Sequence, residues 1–128
     1  MKPKILVVAA DYYNDISTPM SYSVSNFLDN KSKYHFIKVP GVFEIPVVIS
    51  KNIKKYDAFI ALGCVIKGET PHFDFISSAA TNAIMNLSIE YKKPIGNGII
   101  TCLNMKQAQA RKTKGIEAAK AVISVLSQ

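Results

Sequence analysis

The hydrophobic positions of the chain form short continuous runs that alternate with segments of helical spacing. Ile5–Ala10 and Ala58–Cys64 are continuous apolar runs, which are typical of strands buried on both faces of a sheet. Tyr34–Val39 and Ile95–Ile100 predict two further strands. Because strands alternate with helical segments, the pattern predicts an α/β fold, a three-layer α/β/α sandwich around a four-stranded parallel sheet.

Helices are predicted between and after these strands. They cover residues 18–28, 46–54 and 74–91, and the remainder after the fourth strand is helical with a break around 112–114. Thr18-Pro19 and Pro46 support the first two helix starts, because proline is favoured in the first helical turn. In the longest helix, helical spacing predicts a buried side formed by Ile76, Ala79, Ala80, Ala83, Ile84 and Leu87.

The composition is that of a globular protein. Of 128 residues, 48% are hydrophobic and 20% are charged, which excludes a disordered or low-complexity chain. The length predicts one domain, residues 1–128. No apolar run approaches the roughly 20 residues of a membrane-spanning helix, so no membrane partner is expected. Cys64 and Cys102 have no CxxC spacing, and two reduced thiols favour a cytoplasmic protein.

The net charge of +7 makes anionic partners plausible. Of the 16 cationic side chains, Arg111 is the only arginine. The lysines are spread along the sequence rather than clustered with aromatic residues, which argues against a nucleic-acid groove. With two histidines and no close cluster of His, Cys and Asp, no metal site is expected.

Candidate chemistry is expected in the loops that follow the strands, because parallel sheets bind ligands beyond the carboxyl ends of their strands. The segment Gly63–Phe73 leaves a strand and enters the longest helix. Gly68 permits a tight turn, and backbone amides at a helix start can hold a phosphate. Thr70 adds a hydroxyl, and His72 adds a group that exchanges protons near neutral pH. A capped helix start with a surface histidine accounts for the same residues equally well.

Two more loops carry polar or aromatic candidates. Glu44 ends the rigid turn that starts at Pro40, where it either interacts with the dipole of the next helix or accepts hydrogen bonds from a polyhydroxy ligand. The segment Asp11–Asp15 follows the first strand, and a tyrosine there, Tyr12 or Tyr13, either stacks on a flat heteroaromatic ring or covers the sheet edge. The residues alone leave both pairs of alternatives open.

Three motifs together resemble the 6,7-dimethyl-8-ribityllumazine synthase family, the riboflavin synthase beta-chain family. They are the turn Pro40–Pro46, the stretch Ala61–His72, and Gln107-Ala108 followed by Arg111, in the order that the family has them. The resemblance implies a flavodoxin-like fold. It also implies an enzyme that condenses 5-amino-6-(D-ribitylamino)uracil with 3,4-dihydroxy-2-butanone 4-phosphate, releasing phosphate and water, without metal or organic cofactor.

The resemblance also implies roles for individual positions. Tyr12 corresponds to the aromatic residue that stacks on the pyrimidine. Two further groups of residues correspond to positions that bind the ribityl chain and the ring, Val42, Phe43 and Glu44 in the turn and Cys64, Val65 and Ile66 at the strand end. Asn97 corresponds to a ring contact that a neighbouring subunit supplies.

The remaining implied roles concern the phosphate and proton transfer. Glu69 and Thr70 correspond to the phosphate loop, and His72 to the proton-transfer residue. Arg111 corresponds to the phosphate-binding arginine, and Lys114 to a lysine beyond it. A guanidinium suits that role because it binds phosphate through two parallel hydrogen bonds.

The chain departs from the family pattern at four positions and in the length of one turn. Tyr12 stands where phenylalanine is usual, and Asn97 replaces a frequent phenylalanine. Pro71 and Lys67 replace a small polar residue and a common arginine. The turn at Lys112-Thr113 is shorter than in relatives that build sixty-subunit shells, so the expected state is a homopentamer or two stacked pentamers. A non-catalytic flavin or lumazine carrier, and more remotely a nucleic-acid-binding module, are the alternatives.

Overall fold

The structure, a computed structural model, describes residues 2–68 and 72–128. A parallel sheet of four strands lies at its centre, with the order β2-β1-β3-β4. The strands are β1 (Lys4–Ala10), β2 (Lys33–Val39), β3 (Ala58–Ile66) and β4 (Ile95–Cys102). The predicted four-stranded parallel sheet is therefore confirmed.

Helices cover both faces of the sheet. They are α1 (Asn14–Leu28), α2 (Ile45–Asn52), α3 (His72–Tyr91), α4 (Met105–Ala110) and α5 (Lys114–Leu126), with a 3₁₀ turn at Val42–Glu44 before α2. Helices α1, α4 and α5 pack on one face, and α2 and α3 pack on the other. This arrangement is the predicted three-layer α/β/α sandwich of the flavodoxin type.

The core lies on both sides of the central strands, because successive side chains of a strand point to opposite faces. On β1, Ile5 and Val7 face α1 and α5, whereas Leu6 and Val8 face α2 and α3, and all four are fully buried. Burial on both faces explains the continuous apolar run in the sequence.

Helix α1 begins at Asn14, four residues before the predicted start, so Pro19 lies inside it. The prediction was wrong because Pro19 was assigned to the first turn. The buried residues Ile16 and Met20 continue the i, i+4 spacing towards the N-terminus, and their burial extends the helix past the proline. Among the smaller boundary shifts, β3 extends to Ile66 rather than Cys64, and α3 begins at His72 rather than at residue 74.

Helix α5 packs against β4 at a close approach between glycines. A Cβ on Gly98 would lie 2.6 Å from Leu62 Cδ2, 2.8 Å from the carbonyl oxygen of Ala61 and 3.5 Å from Gly115 Cα. Gly115 is buried in the first turn of α5, directly after the segment that carries Arg111 and Lys114. The two short distances are to β3, whereas the distance to Gly115 is an ordinary contact, so β4 packs on β3 at Gly98 without room for a methyl group while α5 lies against the same glycine.

The sheet has its switch point between β1 and β3. The chain leaves β1 through α1 towards β2 on one face, and it leaves β3 through α3 towards β4 on the opposite face. A crevice forms at the carboxyl ends of two strands whose connections diverge in this way, and ligands of open α/β sheets bind there. None of the helices within residues 2–68 and 72–128 is long and apolar enough to cross a bilayer.

Candidate active site

A cavity of about 690 Å³ opens at this switch point. It is lined by residues that follow β1, by the turn before α2, by the end of β3 and by the first two turns of α3. They are Tyr12, Tyr13, Gly41, Val42, Phe43, Glu44, Cys64, Val65, Ile66, His72, Phe75, Ile76 and Ala79. Four separate segments therefore converge on one cavity of a size that is usual for a small-molecule site.

The floor of the cavity depends on close packing at Gly63. A Cβ on Gly63 would lie 2.7 Å from Val42 Cγ2 and 3.3 Å from the Cβ of Ala10. Only a residue without a side chain lets the turn at Val42 lie this close to the end of β3. The close approach places the backbone groups that follow Gly63 beside the turn.

The turn Val42–Glu44 holds a carboxylate beside the cavity. The backbone N–H of Glu44 donates to the carbonyl oxygen of Gly41 over 3.2 Å, which closes the 3₁₀ turn. A Cβ on Gly41 would lie 3.1 Å from Oε1 of Glu44, so the carboxylate lies back over the turn. Glu44 is half-buried and Phe43 is 59% exposed. Both side chains are accessible to a ligand in the cavity.

An aromatic pair forms the wall next to β1. The rings of Tyr12 and Tyr13 meet edge to face, with centroids 4.9 Å apart and planes at 85°. Tyr13 is half-buried against the core, and this burial, followed by the nearby Tyr12 and Cys64, raises its phenol pKa. Tyr12 is 76% exposed, so its ring is held by Tyr13 while most of its surface remains open for stacking.

Cys64 contributes an unreactive thiol to the cavity. Burial, followed by the neighbouring Cys102, raises the pKa of Cys64 from 9.0 to about 11. The thiolate is the nucleophilic form of cysteine, and a thiol with this pKa stays protonated at neutral pH. Both cysteines are free and buried, and Cys64 contributes shape rather than a nucleophile.

Helix α3 brings His72 to the cavity at its first residue. The imidazole is exposed, and Phe75, Ile76 and Ala79 follow it on the same side at i+3, i+4 and i+7.

The predicted buried side of α3 is confirmed at Ala80 and Ile84, which are buried. Ala79, predicted to be buried with them, is exposed at the cavity instead. The predicted phosphate-loop residues, Glu69 and Thr70, lie outside the described residues.

A second cavity, of about 400 Å³, contains the other predicted residues. It is lined by Thr81, Asn97, Ile99, Ile100, Thr101, Ala110, Arg111, Thr113, Lys114 and Glu117. Nη1 of Arg111 donates to the carbonyl oxygen of Thr101 over 3.2 Å, and Oδ1 of Asn97 accepts from the backbone N–H of Ile99 over 3.0 Å. Among the residues that the structure describes, none lines both cavities. Within one chain, the predicted aromatic and imidazole groups are thus separated from the predicted phosphate-binding cations.

The sequence model of the 6,7-dimethyl-8-ribityllumazine synthase family matches residues 2–128. The chain belongs to this family. A lumazine synthase of Bartonella bacilliformis is 39% identical over 99% of this chain and 90% of its own length. Those of Agrobacterium fabrum and Bartonella henselae are 38% and 40% identical, over 98% of this chain and 93% and 88% of their own lengths. The chain is therefore an enzyme of riboflavin biosynthesis, a transferase, as the sequence motifs predicted.

The sequence analysis did not predict several of the residues that line the first cavity. Tyr13 stands next to Tyr12, and two tyrosines in a row gave no sign of which one faces the ligand. Helical spacing from His72 would have identified Phe75 and Ala79, since both lie on the same side of α3 as His72.

No group of three or more His, Cys, Asp and Glu side chains suited to a metal occurs in the described part of the chain.

Proposed function

We propose that the chain condenses 5-amino-6-(D-ribitylamino)uracil with 3,4-dihydroxy-2-butanone 4-phosphate to 6,7-dimethyl-8-ribityllumazine, releasing phosphate and water, in the cytoplasm. The reaction is the penultimate step of riboflavin biosynthesis. The observation that supports these substrates is the cavity in which an open aromatic ring, a carboxylate and an imidazole meet, on Tyr12, Glu44 and His72. Each group suits one part of the two substrates.

The pyrimidine fits the first cavity. Its ring stacks on Tyr12, whose position is supported by the edge contact with Tyr13. The hydroxyl groups of the ribityl chain donate hydrogen bonds to Glu44, which lies half-buried beside the turn. Backbone groups at the end of β3, from Cys64 to Ile66, are placed to bond the polar edge of the ring, with the protonated Cys64 thiol filling space below it.

Proton transfer is assigned to His72. The 5-amino nitrogen attacks the carbonyl carbon of the sugar phosphate and loses its protons, while the carbonyl oxygen gains two and leaves as water, which gives an imine. Loss of a proton from the carbon that bears the hydroxyl group and cleavage of the C–O bond then release phosphate and leave an enol. The enol gains a proton on its terminal carbon and loses its hydroxyl proton, which gives a ketone. The ribitylamino nitrogen closes the ring on the remaining carbonyl carbon, with a second water lost. His72, exposed at the cavity, accepts and returns these protons.

Phosphate binding is assigned to Arg111 and Lys114, together with the loop of Glu69 and Thr70. Arg111 and Lys114 line the second cavity, where Glu117 is the one carboxylate among the lining residues that the structure describes. The guanidinium of Arg111 has one bond to the carbonyl oxygen of Thr101 and is otherwise exposed, which leaves donors for a bidentate contact with phosphate. These cations stabilise the negative charge as the phosphate leaves.

The two cavities support a complete site made between adjacent subunits of a ring. The first cavity of one chain faces the second cavity of its neighbour, which adds Asn97, Arg111 and Lys114. An exposed apolar surface on α3 supports such an assembly, with Phe75 68%, Met85 59% and Ile89 68% exposed. A homopentamer, alone or as two stacked pentamers, is the proposed state, because head-to-tail contacts close into rings.

The test of the activity is to mix the purified chain with both substrates and to measure lumazine absorbance together with released phosphate. We expect both signals to rise in step. A matched pair of histidine variants assigns the chemistry. His72→Ala loses turnover, whereas His35→Ala, which removes an exposed histidine on β2 that contacts Tyr56, keeps it. Lumazine binding without phosphate release would identify a carrier and refute the enzymatic proposal.

The shared site has its own test by complementation. His72→Ala and Arg111→Ala chains are purified, mixed in equal amounts, unfolded and refolded together. In a random ring, roughly one site in four combines an intact His72 from one chain with an intact Arg111 from the next, so roughly a quarter of the parent activity is expected to return. No recovery in rings shown to be mixed would refute the shared site. Sedimentation measures the number of chains, and a species of sixty would contradict the short-turn argument.

A further inference from the structure

The lysines that are dispersed in the sequence converge in the fold. The amino ends of all four strands meet at one end of the sheet, opposite the candidate active site, and a pair of lysines lies at or just before each strand. The eight are Lys2, Lys4, Lys31, Lys33, Lys54, Lys55, Lys92 and Lys93, against the carboxylates of Asp29, Asp57 and Glu90. We call this surface the basic end.

A cavity of about 550 Å³ opens in the basic end. Its lining comes from five segments of the chain, three of which carry the side chains of Lys2, Lys31, Lys92 and Lys93. The floor is aliphatic, and the remaining lining residues are Pro3, Asp57, Pro94, Ile123, Leu126 and Ser127. Four ammonium groups around one small cavity repel each other, and a bound polyvalent anion relieves that repulsion.

The positive charge of this cavity is only partly offset by its own lining. Oδ2 of Asp57, its one side-chain carboxylate among the lining residues, accepts the backbone N–H of Lys4 over 2.8 Å. Lys93 Nζ donates to the carbonyl oxygen of Ile53 over 2.6 Å, and Lys31 Nζ lies 4.4 Å from the centroid of the Phe27 ring. Within residues 2–68 and 72–128, no carboxylate forms an ion pair with any of the four lysines. Lys31 and Lys93 are thus anchored while keeping their charge.

Lys92 occupies a backbone position that favours glycine. Its φ is 55°, the one left-handed value at a non-glycine residue in the described part of the chain. The N–H of Lys93 donates to the carbonyl oxygen of Ser88 over 3.2 Å, which is the helix-ending bond of a Schellman motif with Lys92 at the glycine position. A lysine there retains a strained backbone, and strained positions of this kind point to a role for the side chain.

From these observations we propose that the cavity of the basic end binds a compact anion with three or more linked phosphate groups. Its four lysines and aliphatic floor offer several ammonium donors at once, and lysine binds phosphate as a point charge. No aromatic ring lines the cavity, so the surface lacks the stacking groups that single-stranded nucleic acids use. The proposal is independent of the reaction assigned to the opposite end of the sheet.

The test is calorimetric titration of the full chain with inorganic tripolyphosphate at low ionic strength. We expect saturable binding that weakens with added salt. The double variant Lys2→Gln/Lys92→Gln should raise the Kd about tenfold, since each lost charge-assisted bond contributes of the order of a few-fold. The matched control Lys38→Gln/Lys106→Gln removes the same charge from exposed positions outside the cavity and should leave the Kd within about twofold.

Two further variants test whether tripolyphosphate binds in this cavity and whether Lys92 contributes to it. Arg111→Ala should leave unchanged the tripolyphosphate binding that depends on Lys2 and Lys92, and loss of that binding in Arg111→Ala would move the site to the second cavity and overturn the proposal. Lys92→Gly should raise the Tm by relieving the left-handed backbone while it weakens binding. A higher Tm with unchanged affinity would remove Lys92 from the site and overturn its role.

Two alternative ligands complete the test. ATP binding with the same dependence on Lys2 and Lys92 would support the proposal and show that a nucleotide can supply the linked phosphates. Binding of tripolyphosphate but not ATP would also support it, with inorganic polyphosphate as the source. Equal affinity for an oligothymidylate of matched charge, or equal losses in the Lys38→Gln/Lys106→Gln control, would show a general polyanion surface and overturn the assignment.

Discussion

Gly98→Ala tests whether the close packing of β4 on β3 positions the cations proposed to bind phosphate. The new methyl group would lie 2.6 Å from Leu62 Cδ2 and 2.8 Å from the carbonyl oxygen of Ala61. A rotamer change of Leu62 relieves the first contact. The second involves backbone in the centre of the sheet, so the strain is relieved only by moving β4, or α5 with it.

The expected destabilisation follows from this geometry. Insertion of a methyl group into a well-packed core reduces the free energy of unfolding by about 1–3 kcal/mol. For a domain of this size, that corresponds to a fall in Tm of roughly 3–12 °C. A shift of β4 also displaces Thr101, whose carbonyl oxygen accepts a hydrogen bond from Arg111, so the KM for the sugar phosphate should rise more than the KM for the pyrimidine.

The assay is thermal unfolding at one protein concentration, since assembly makes Tm depend on concentration. Gly68→Ala is the matched control, because a Cβ there meets no atom within 4 Å and its Tm should not fall. A Gly98→Ala variant with a Tm within about 1 °C of the parent, against the roughly 3–12 °C expected, would refute the packing argument. Equal changes in both KM values would refute the link to the phosphate site.

Three further predictions concern the site. His72→Ala should lower kcat by about 10²–10⁴-fold with little change in KM, and steady-state rates within threefold of the parent would exclude it from proton transfer. Arg111→Ala should raise the KM for the sugar phosphate selectively, with partial rescue by Arg111→Lys because lysine lacks the planar fork; equal effects on both substrates would contradict this role. Because the pKa of Cys64 rises from 9.0 to about 11 on folding, the unfolded chain releases the thiol proton first and stability falls as pH rises through that window. Denaturant titrations should show a smaller fall for Cys64→Ala, and an identical fall would contradict the raised pKa.

The sheet could be predicted from sequence because its signal is local. The run Ile5–Ala10 is apolar at every position, and a strand buried on both faces requires that. The start of α1 could not be predicted in the same way, because Pro19 is a strong local signal for a helix start. Burial of Ile16 against the sheet, which is a tertiary effect, determined the actual start.

The sequence predicted which residues belong to the candidate site better than it predicted how they are arranged in the fold. Motif positions indicated Tyr12, Glu44 and His72, and the structure places these three around one cavity. The resemblance implied that Asn97, and with it Arg111, reaches the site from a neighbouring subunit, whereas the residue pattern alone did not indicate that the two line a second cavity. The convergence of lysines at the basic end was missed for the same reason, since their neighbours in space are far apart along the chain.

The two cavities of each chain have a consequence for mixed populations. In the proposed ring, every chain takes part in two reaction centres, one through Tyr12 and His72 and the other through Arg111. A chain with a loss-of-function substitution in one cavity inactivates one reaction centre, whereas a chain with such substitutions in both cavities inactivates two. Chains defective in both cavities that still assemble would therefore inactivate reaction centres to which intact neighbouring chains contribute. In a cell that produces both forms, the lost output would exceed the fraction of defective polypeptide, and the defect would be dominant.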